Sequence, residues 1–281
     1  MSQDIEKKKR KKKKKIIRIC FVIIMIILFL LLIFASYKII NWYVDNVEIE
    51  EQTNVIHEQT VIKEKEDTEK TEKVNPPEDK FDPYWDYIKI PLINVEFNKL
   101  INTNPDTVGW ITVNNTDINY PVVQASNNSF YLNHAFDKTW NDAGWIFMDY
   151  RNNSNTFDKN TIIYGHSRYD GSMFCSLRRI LRQSWFNNKS NHIIKFSTPN
   201  ENTLWQVFSV YKIPAESYYL KTTFENDDSY REWLDEMVKR SAFNFKTSIN
   251  TDDKVMTLSS CYNTEGIRMV LHAKLIKKEA R

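Results

Sequence analysis

Cysteine is scarce in this chain, with three among 281 residues. That is too few for the paired framework that staples small secreted domains. Histidine is also sparse. No pair among the five has the spacing of zinc ligands, and no acidic stretch follows the order of a calcium loop. No internal repeat is found. A broad basic surface is missing as well. The net charge is +3, but the first 40 residues hold eleven Lys/Arg against two acids, leaving 28 basic and 34 acidic residues in the rest. The positive excess is a tail rather than a face, so no nucleic-acid partner is expected.

Charge is wholly absent from Ile19 to Tyr37, nineteen residues in a row. This is close to the ~20 residues that cross ~30 Å of hydrocarbon as a helix. The unbroken basic block from Lys7 to Lys15 precedes it, and Lys38 alone follows immediately. By the positive-inside rule the N-terminus stays cytoplasmic and the remainder lies outside, as a single-pass protein of the cell membrane. A cleaved signal peptide is the competing reading. The apolar run is longer than a signal core of about 7–15 residues, and no A-x-A-like site follows "FASYKIINWY". Residues 1–15 are thus expected as a basic tail and 16–40 as the membrane anchor, with Trp42 and Tyr43 suited to the outer interface. Cys20 falls in the anchor as an apolar residue.

Aromatic residues are nearly missing from the Glu/Lys-rich run that ends at Pro76-Pro77, and 41–80 reads as a polar stalk unable to bury a core. From Phe81 the composition changes: seven of the eight tryptophans follow. Residues 81–281 are ample for one domain. In "DPYWDYIKI", Asp82 can cap a helix and Pro83 fits its first position. "VEFNKLIN" places Phe97, Leu100 and Ile101 on one helical face. Short strands follow: "GWITV", "INYPVVQ", "GWIFMDY", "NTIIYGH", "HIIKFST", "LWQVFSVYKI", "KVMTLSS" and "RMVLHAKLIK". About eight strands in one domain predict a closed barrel, which leaves no exposed edge. Two helices are predicted among them. "SMFCSLRRILRQ" has Met173, Phe174, Leu177, Ile180 and Leu181 in a stripe, with Cys175 off its centre. "DDSYREWLDEMVKRS" has Tyr230, Trp233, Leu234, Met237 and Val238, acids at its start and Lys239-Arg240 at its end. Both stripes read as core packing.

Chemistry is concentrated near Cys261, which ends the apolar run "VMTLSSC". A thiol becomes a useful nucleophile beside a base or a cation. His57 lies in the stalk, and His134 and His192 sit in or near turns, where surface roles are the default. His272 shares strand parity with Arg268. His166 ends "TIIYGH", where a barrel would present it at its rim. Arg268 opens the strand after "YNTEGI", so a hairpin sets it beside Cys261, able to favour a thiolate or bind an oxyanion. The alternative is a surface arginine paired with Glu265. Spacing alone does not choose between them.

"TLSSC" followed by an arginine at a strand start resembles the signature of sortases, and "TIIYGH" resembles the segment that carries their histidine. "NPDTVGWITV", "INYPVVQ", "YLNHAF", "GWIFMDYRN", "YGHSRYDGSMF" and the helical insertion "YYLKTTFENDDSYREWLDEMVKRS" are similar to class B members across most of 81–281. The resemblance implies a mainly β fold with helices (α+β): an eight-stranded sortase barrel with N-terminal helices and a helical insertion between two late strands. It implies a cysteine transpeptidase with Cys261 as nucleophile, His166 as general acid/base and Arg268 as oxyanion stabiliser. Asn119, Val123, Tyr164, Tyr219, Leu220 and Ser259 are implied as substrate-groove contacts. The implied substrates are exported proteins with a C-terminal motif, N-P-x-T-N-like or L-P-x-T-G-like. The implied acceptor is an amine of peptidoglycan or its lipid-linked precursor. A thioester conserves the energy of the broken peptide bond, so no cofactor is needed, and a disulfide to Cys175 is not expected. Ser260 stands where threonine is usual and Ser167 where an amide or histidine often follows the catalytic histidine. The Cys–Arg loop is short. Three rivals remain. A papain-like protease lacks its C-G-[SA]-C-[WY] signature here. A pilin polymerase often carries a lid and a second C-terminal hydrophobic segment, neither of which is clear in "HAKLIKKEAR". A non-catalytic surface-binding barrel would use the aromatic-rich domain without its thiol.

Overall fold

The computed structural model describes residues 2–168, 170–261 and 266–281, and the side chains of residues 2–4 and 261 fall outside that description. Two units are present, Met1–Glu48 and Ile49–Arg281. Helix α1 (Ser2–Gln59) supplies the first and opens the second. Within the first unit the apolar side chains from Ile16 to Ile40 are exposed. Among the described residues α1 is the one helix long and apolar enough to cross a membrane.

In the second unit the eight expected strands form. They are β4 (Thr107–Val113), β5 (Asn119–Val123), β6 (Phe147–Met148), β7 (Asn160–His166), β8 (Ile193–Ser197), β9 (Glu201–Pro214), β10 (Val255–Cys261) and β11 (Ile267–Ala280). Their order is β10-β7-β6-β5-β4-β8-β9-β11, and β11 pairs back onto β10, closing the barrel. Alternate residues turn inward. Trp110, Trp145, Trp205, Phe136 and Phe196 are buried in the main core, and each stabilises the fold by roughly 1.5–3 kcal/mol or more through removal from water.

Three shorter strands lie upstream: β1 (Ile62–Lys65), β2 (Glu72–Lys73) and β3 (Leu92–Val95). They overturn the reading of this region as a free stalk. Ile49 and Ile56 are buried in the main core, β1 pairs with β3, and β2 pairs with the end of β11. Lys65, Thr68 and Thr71 all bond to the buried carboxylate of Glu279. A count of aromatics misses this, because two isoleucines seven apart suffice for one helical face. The anion that pairs these polar residues comes from more than 200 residues later.

Helix α2 (Tyr84–Tyr87) starts where Asp82 accepts the Tyr84 N–H at 2.8 Å. Helix α3 (Asn98–Thr103) buries Leu100. The segment "SMFCSLRRILRQ" is not one α-helix. A 3-10 turn runs over Cys175–Leu181, followed by α4 (Gln183–Asn187). Phe174, Leu177 and Ile180 are spaced by three, the period of a 3-10 helix, and all three are fully buried. Helix α5 (Asp227–Arg240) forms as expected, with Asn226 and Ser229 capping each other. Its Tyr230, Trp233, Leu234 and Met237 pack on Phe208, Tyr211, Val255 and Val270 of β9, β10 and β11.

Candidate active site

Strands β7 and β10 run parallel, with Cys261 opposite His166. Strands β10 and β11 run antiparallel, with Cys261 opposite Arg268. The thiol residue therefore occupies the middle of three strand ends, with a base on one side and a cation on the other. Neighbouring strands lie about 4.8 Å apart. Residues 262–265, which join the two later strands, lie outside the described residues, as does a pairing of Arg268 with Glu265. Gly266 has φ +76° just before β11, a left-handed conformation that glycine adopts without steric cost.

Beside these strand ends is a cavity of about 720 Å³, walled by His166, Arg268, Tyr164, Gly165, Ser259, Phe147, Asn128, Leu132 and the segment 215–220. This is within the range of small-molecule clefts. Four expected groove residues, Tyr164, Tyr219, Leu220 and Ser259, line it together. Tyr219 and Ser259 share a hydrogen bond at 2.9 Å. Asn119 and Val123 do not line it. Val123 is fully buried in the core, and the Asn119 side chain accepts the Trp110 Nε1–H at 2.7 Å. Asn128, Leu132, Phe147 and Ala215–Tyr218 were missed. Leu132 ends the 3-10 turn Phe130–Leu132 and Asn128 lies just before it. The "YLNHAF" motif contains Leu132, while Asn128 falls outside every quoted motif.

His166 is half-buried, and its Nε2 lies 2.8 Å from the Leu132 carbonyl oxygen. A carbonyl only accepts, so the proton of the neutral ring is on Nε2 and the lone pair on Nδ1. Burial pushes the His166 pKa below its ordinary value. The Leu132 bond opposes this, while the Arg168 and Arg268 cations reinforce it. The resting ring is neutral near pH 7, the form of a base. Gly165 allows this strand end to sit tightly, since a Cβ there would meet the Phe174 ring at 2.7 Å.

Three of the other four histidines, His272, His192 and His134, are accounted for structurally. His272 is fully buried, its Nδ1 2.8 Å from Thr257 Oγ1 and its Nε2 2.8 Å from the Tyr211 hydroxyl. Thr257 donates to Asn160 Oδ1, so it accepts from His272 Nδ1, and Tyr211 donates to Nε2. Burial lowers the His272 pKa to about 3. His192, expected at a turn surface, is instead buried between the Tyr87 hydroxyl and the Phe186 carbonyl, and burial lowers its pKa to about 4. Turn position does not imply exposure when aromatic rings close over the loop, as Trp185, Phe186 and Phe245 do. His134 stacks on Phe130 at 4.0 Å. Cys175 is a free thiol outside the cavity lining.

Residues 111–276 match the family described as Sortase domain. The chain belongs to the sortase family. Sortase B of Staphylococcus aureus is 39% identical over 188 residues, covering 66% of this chain and 76% of that protein. A solved S. aureus sortase B–substrate complex superposes with a TM-score of 0.61 at 40% identity, covering 64% of this chain and 84% of that one. A crystal structure of a Bacillus anthracis protein described as similar to sortase B gives 0.65 at 33% identity, covering 84% and 97%. The chain is thus a class B sortase, a cysteine transpeptidase with the eight-stranded barrel and helices that the resemblance implied. Sortases are enzymes of the cell envelope, and a membrane-length apolar helix accords with that.

Proposed function

We propose that this sortase cleaves a C-terminal sorting motif of exported proteins through a thioester on Cys261 and joins the acyl fragment to a peptidoglycan amine. The observation that carries this reading is the register that sets Cys261 level with both His166 and Arg268 at the mouth of the cavity. As the Cys261 sulfur attacks the scissile carbonyl, His166 takes the thiol proton on Nδ1. The Arg268 guanidinium stabilises the developing oxyanion. The imidazolium then protonates the leaving amine as the peptide C–N bond breaks. In the second half the acceptor amine attacks the thioester, His166 takes its proton, and the thiol is released. Tyr164, Tyr219, Leu220 and Ser259, joined by Asn128 and Leu132, form the groove for the motif. The S. aureus relative solved as a sortase B–substrate complex supports a substrate-binding role for this fold.

The domain layout is a basic cytoplasmic tail, a membrane anchor within α1 and an external catalytic barrel, with the Lys7–Lys15 block setting the orientation. The test is intact-mass spectrometry after incubation with a panel of N-P-x-T-N-like and L-P-x-T-G-like peptides. The expected result is a mass increase equal to the acyl fragment, discharged faster by an added amine and absent in Cys261→Ala. An adduct that persists in that variant would remove Cys261 as the nucleophile. An adduct with one motif class alone would name the substrate.

A further inference from the structure

Beneath the cavity lies a carboxylate that the reaction itself does not use. Asp149, just after β6, is fully buried and accepts from five donors. Its Oδ2 receives the Tyr164 hydroxyl at 2.9 Å, Asn128 Nδ2 at 2.9 Å and Arg151 Nη2 at 2.7 Å. Its Oδ1 receives Arg151 Nε at 2.8 Å and the Arg151 backbone N–H at 3.0 Å. Three of these bonds reach the groove walls. Tyr164 and Asn128 line the cavity directly, and Arg151 Nη2 also donates to the Leu220 carbonyl at 3.1 Å. The remaining acceptor of Asn128 is fixed too, since its Oδ1 takes the Tyr150 N–H at 3.0 Å.

We infer that Asp149 is the positioning residue of the substrate groove, locking walls from three separate chain segments into one geometry before a peptide arrives. The segments are the loop at Asn128, strand β7 at Tyr164 and the insertion at Leu220. Because Tyr164 donates to Asp149, its oxygen lone pairs remain to accept from a substrate N–H. Because Asn128 spends one N–H on Asp149, its other N–H remains to donate. Preorganised groups of this kind bind without a reordering cost at the moment of encounter. Burial alone would raise the Asp149 pKa, yet the Arg151, Tyr164 and Asn128 bonds hold it below the usual carboxylate range. The group is therefore a charged acceptor at neutral pH. An asparagine there keeps the shape but turns an N–H toward donors, breaking at least one of the bonds.

The inference rests on the proposed reading of the cavity as a peptide groove. It is tested on the full chain in detergent micelles, with an internally quenched N-P-x-T-N pentapeptide and, separately, with iodoacetamide, read at Cys261 by peptide mapping. For Asp149→Asn the expected result is a fall in kcat/KM of about tenfold or more, carried mainly by KM, with the alkylation rate unchanged. Native peptide kinetics in that variant, or peptide turnover and alkylation falling together, would overturn the inference. If Asp149→Asn gives no cooperative melt, Arg151→Gln replaces it. A several-fold rise in KM at native alkylation supports the role, and an unchanged KM refutes it. A wild-type enzyme inert to a panel of sorting peptides would instead sink the groove reading itself.

Discussion

The strip formed by β7, β10 and β11 carries a histidine at each of two levels, and the two behave oppositely. At the rim, His166 stands level with Cys261 and Arg268, half-buried, against a cavity. Four residues deeper along β11 from Arg268, His272 stands level with Thr257, fully buried under α5, whose Trp233 ring meets it edge-on at 5.6 Å. The three-strand strip and the residue type are the same, with His166 on β7 and His272 on β11. What differs is the lid: α5 covers the deeper level, so each nitrogen of His272 must find a fixed protein partner. The rim is left open, so Nδ1 of His166 is free of that requirement and available for proton transfer.

The sharpest way to break this comparison is at the rim. Arg268→Ala is expected to lower transpeptidation by about 10²–10³-fold, the usual cost of losing one oxyanion donor, while the thermal melt stays near wild type. Near-normal turnover would show that register opposite Cys261 is not enough to make an arginine part of the machinery.

At the deeper level the effect should fall on stability and depend on pH. Unfolded histidine takes a proton near pH 6.5, whereas folded His272 and His192 resist it down to about 3 and 4. The unfolded state therefore binds more protons across that window. Stability is full above pH 6.5 and declines as the solution is acidified, by about 2 kcal/mol per histidine at pH 5. Urea melts at pH 7 and pH 5 should show this loss, and His272→Gln should remove about half of it. A variant with the wild-type pH slope would mean that His272 is not the neutral, sealed group described.

A smaller effect should join the two levels. Gly165→Ala sets a methyl against the Phe174 ring, and overpacking of this kind typically costs about 1–3 kcal/mol. Because residue 165 precedes His166, turnover should fall along with the melt. A fully stable but slow variant, or an active but unstable one, would separate strand-end position from core packing.

Much of the barrel was legible along the chain. Each of the eight strands carried alternation or a short apolar run between polar turns, and α5 carried its stripe, its acids and its closing cations. The N-terminal region was not, because the buried carboxylate that Lys65, Thr68 and Thr71 share is that of Glu279, far downstream. His192 was misjudged for a similar reason, since Tyr87 and Phe245, which help Trp185 and Phe186 enclose it, come from distant segments. Of the groove residues, Tyr164, Tyr219, Leu220 and Ser259 were placed by resemblance. Asn119 and Val123 were drawn from a strand whose neighbouring residues serve the core instead.

By itself, the sequence determined the membrane-length apolar helix with its basic flank, the period-two strands and a thiol at one strand end, because these depend on local composition and spacing. Only the tertiary structure decided that His166 and Cys261, 95 residues apart, would stand level, and that Asp149 would gather Asn128, Tyr164 and Arg151. Parallel pairing and burial of a charge are settled by what closes around a residue, and no local pattern encodes that.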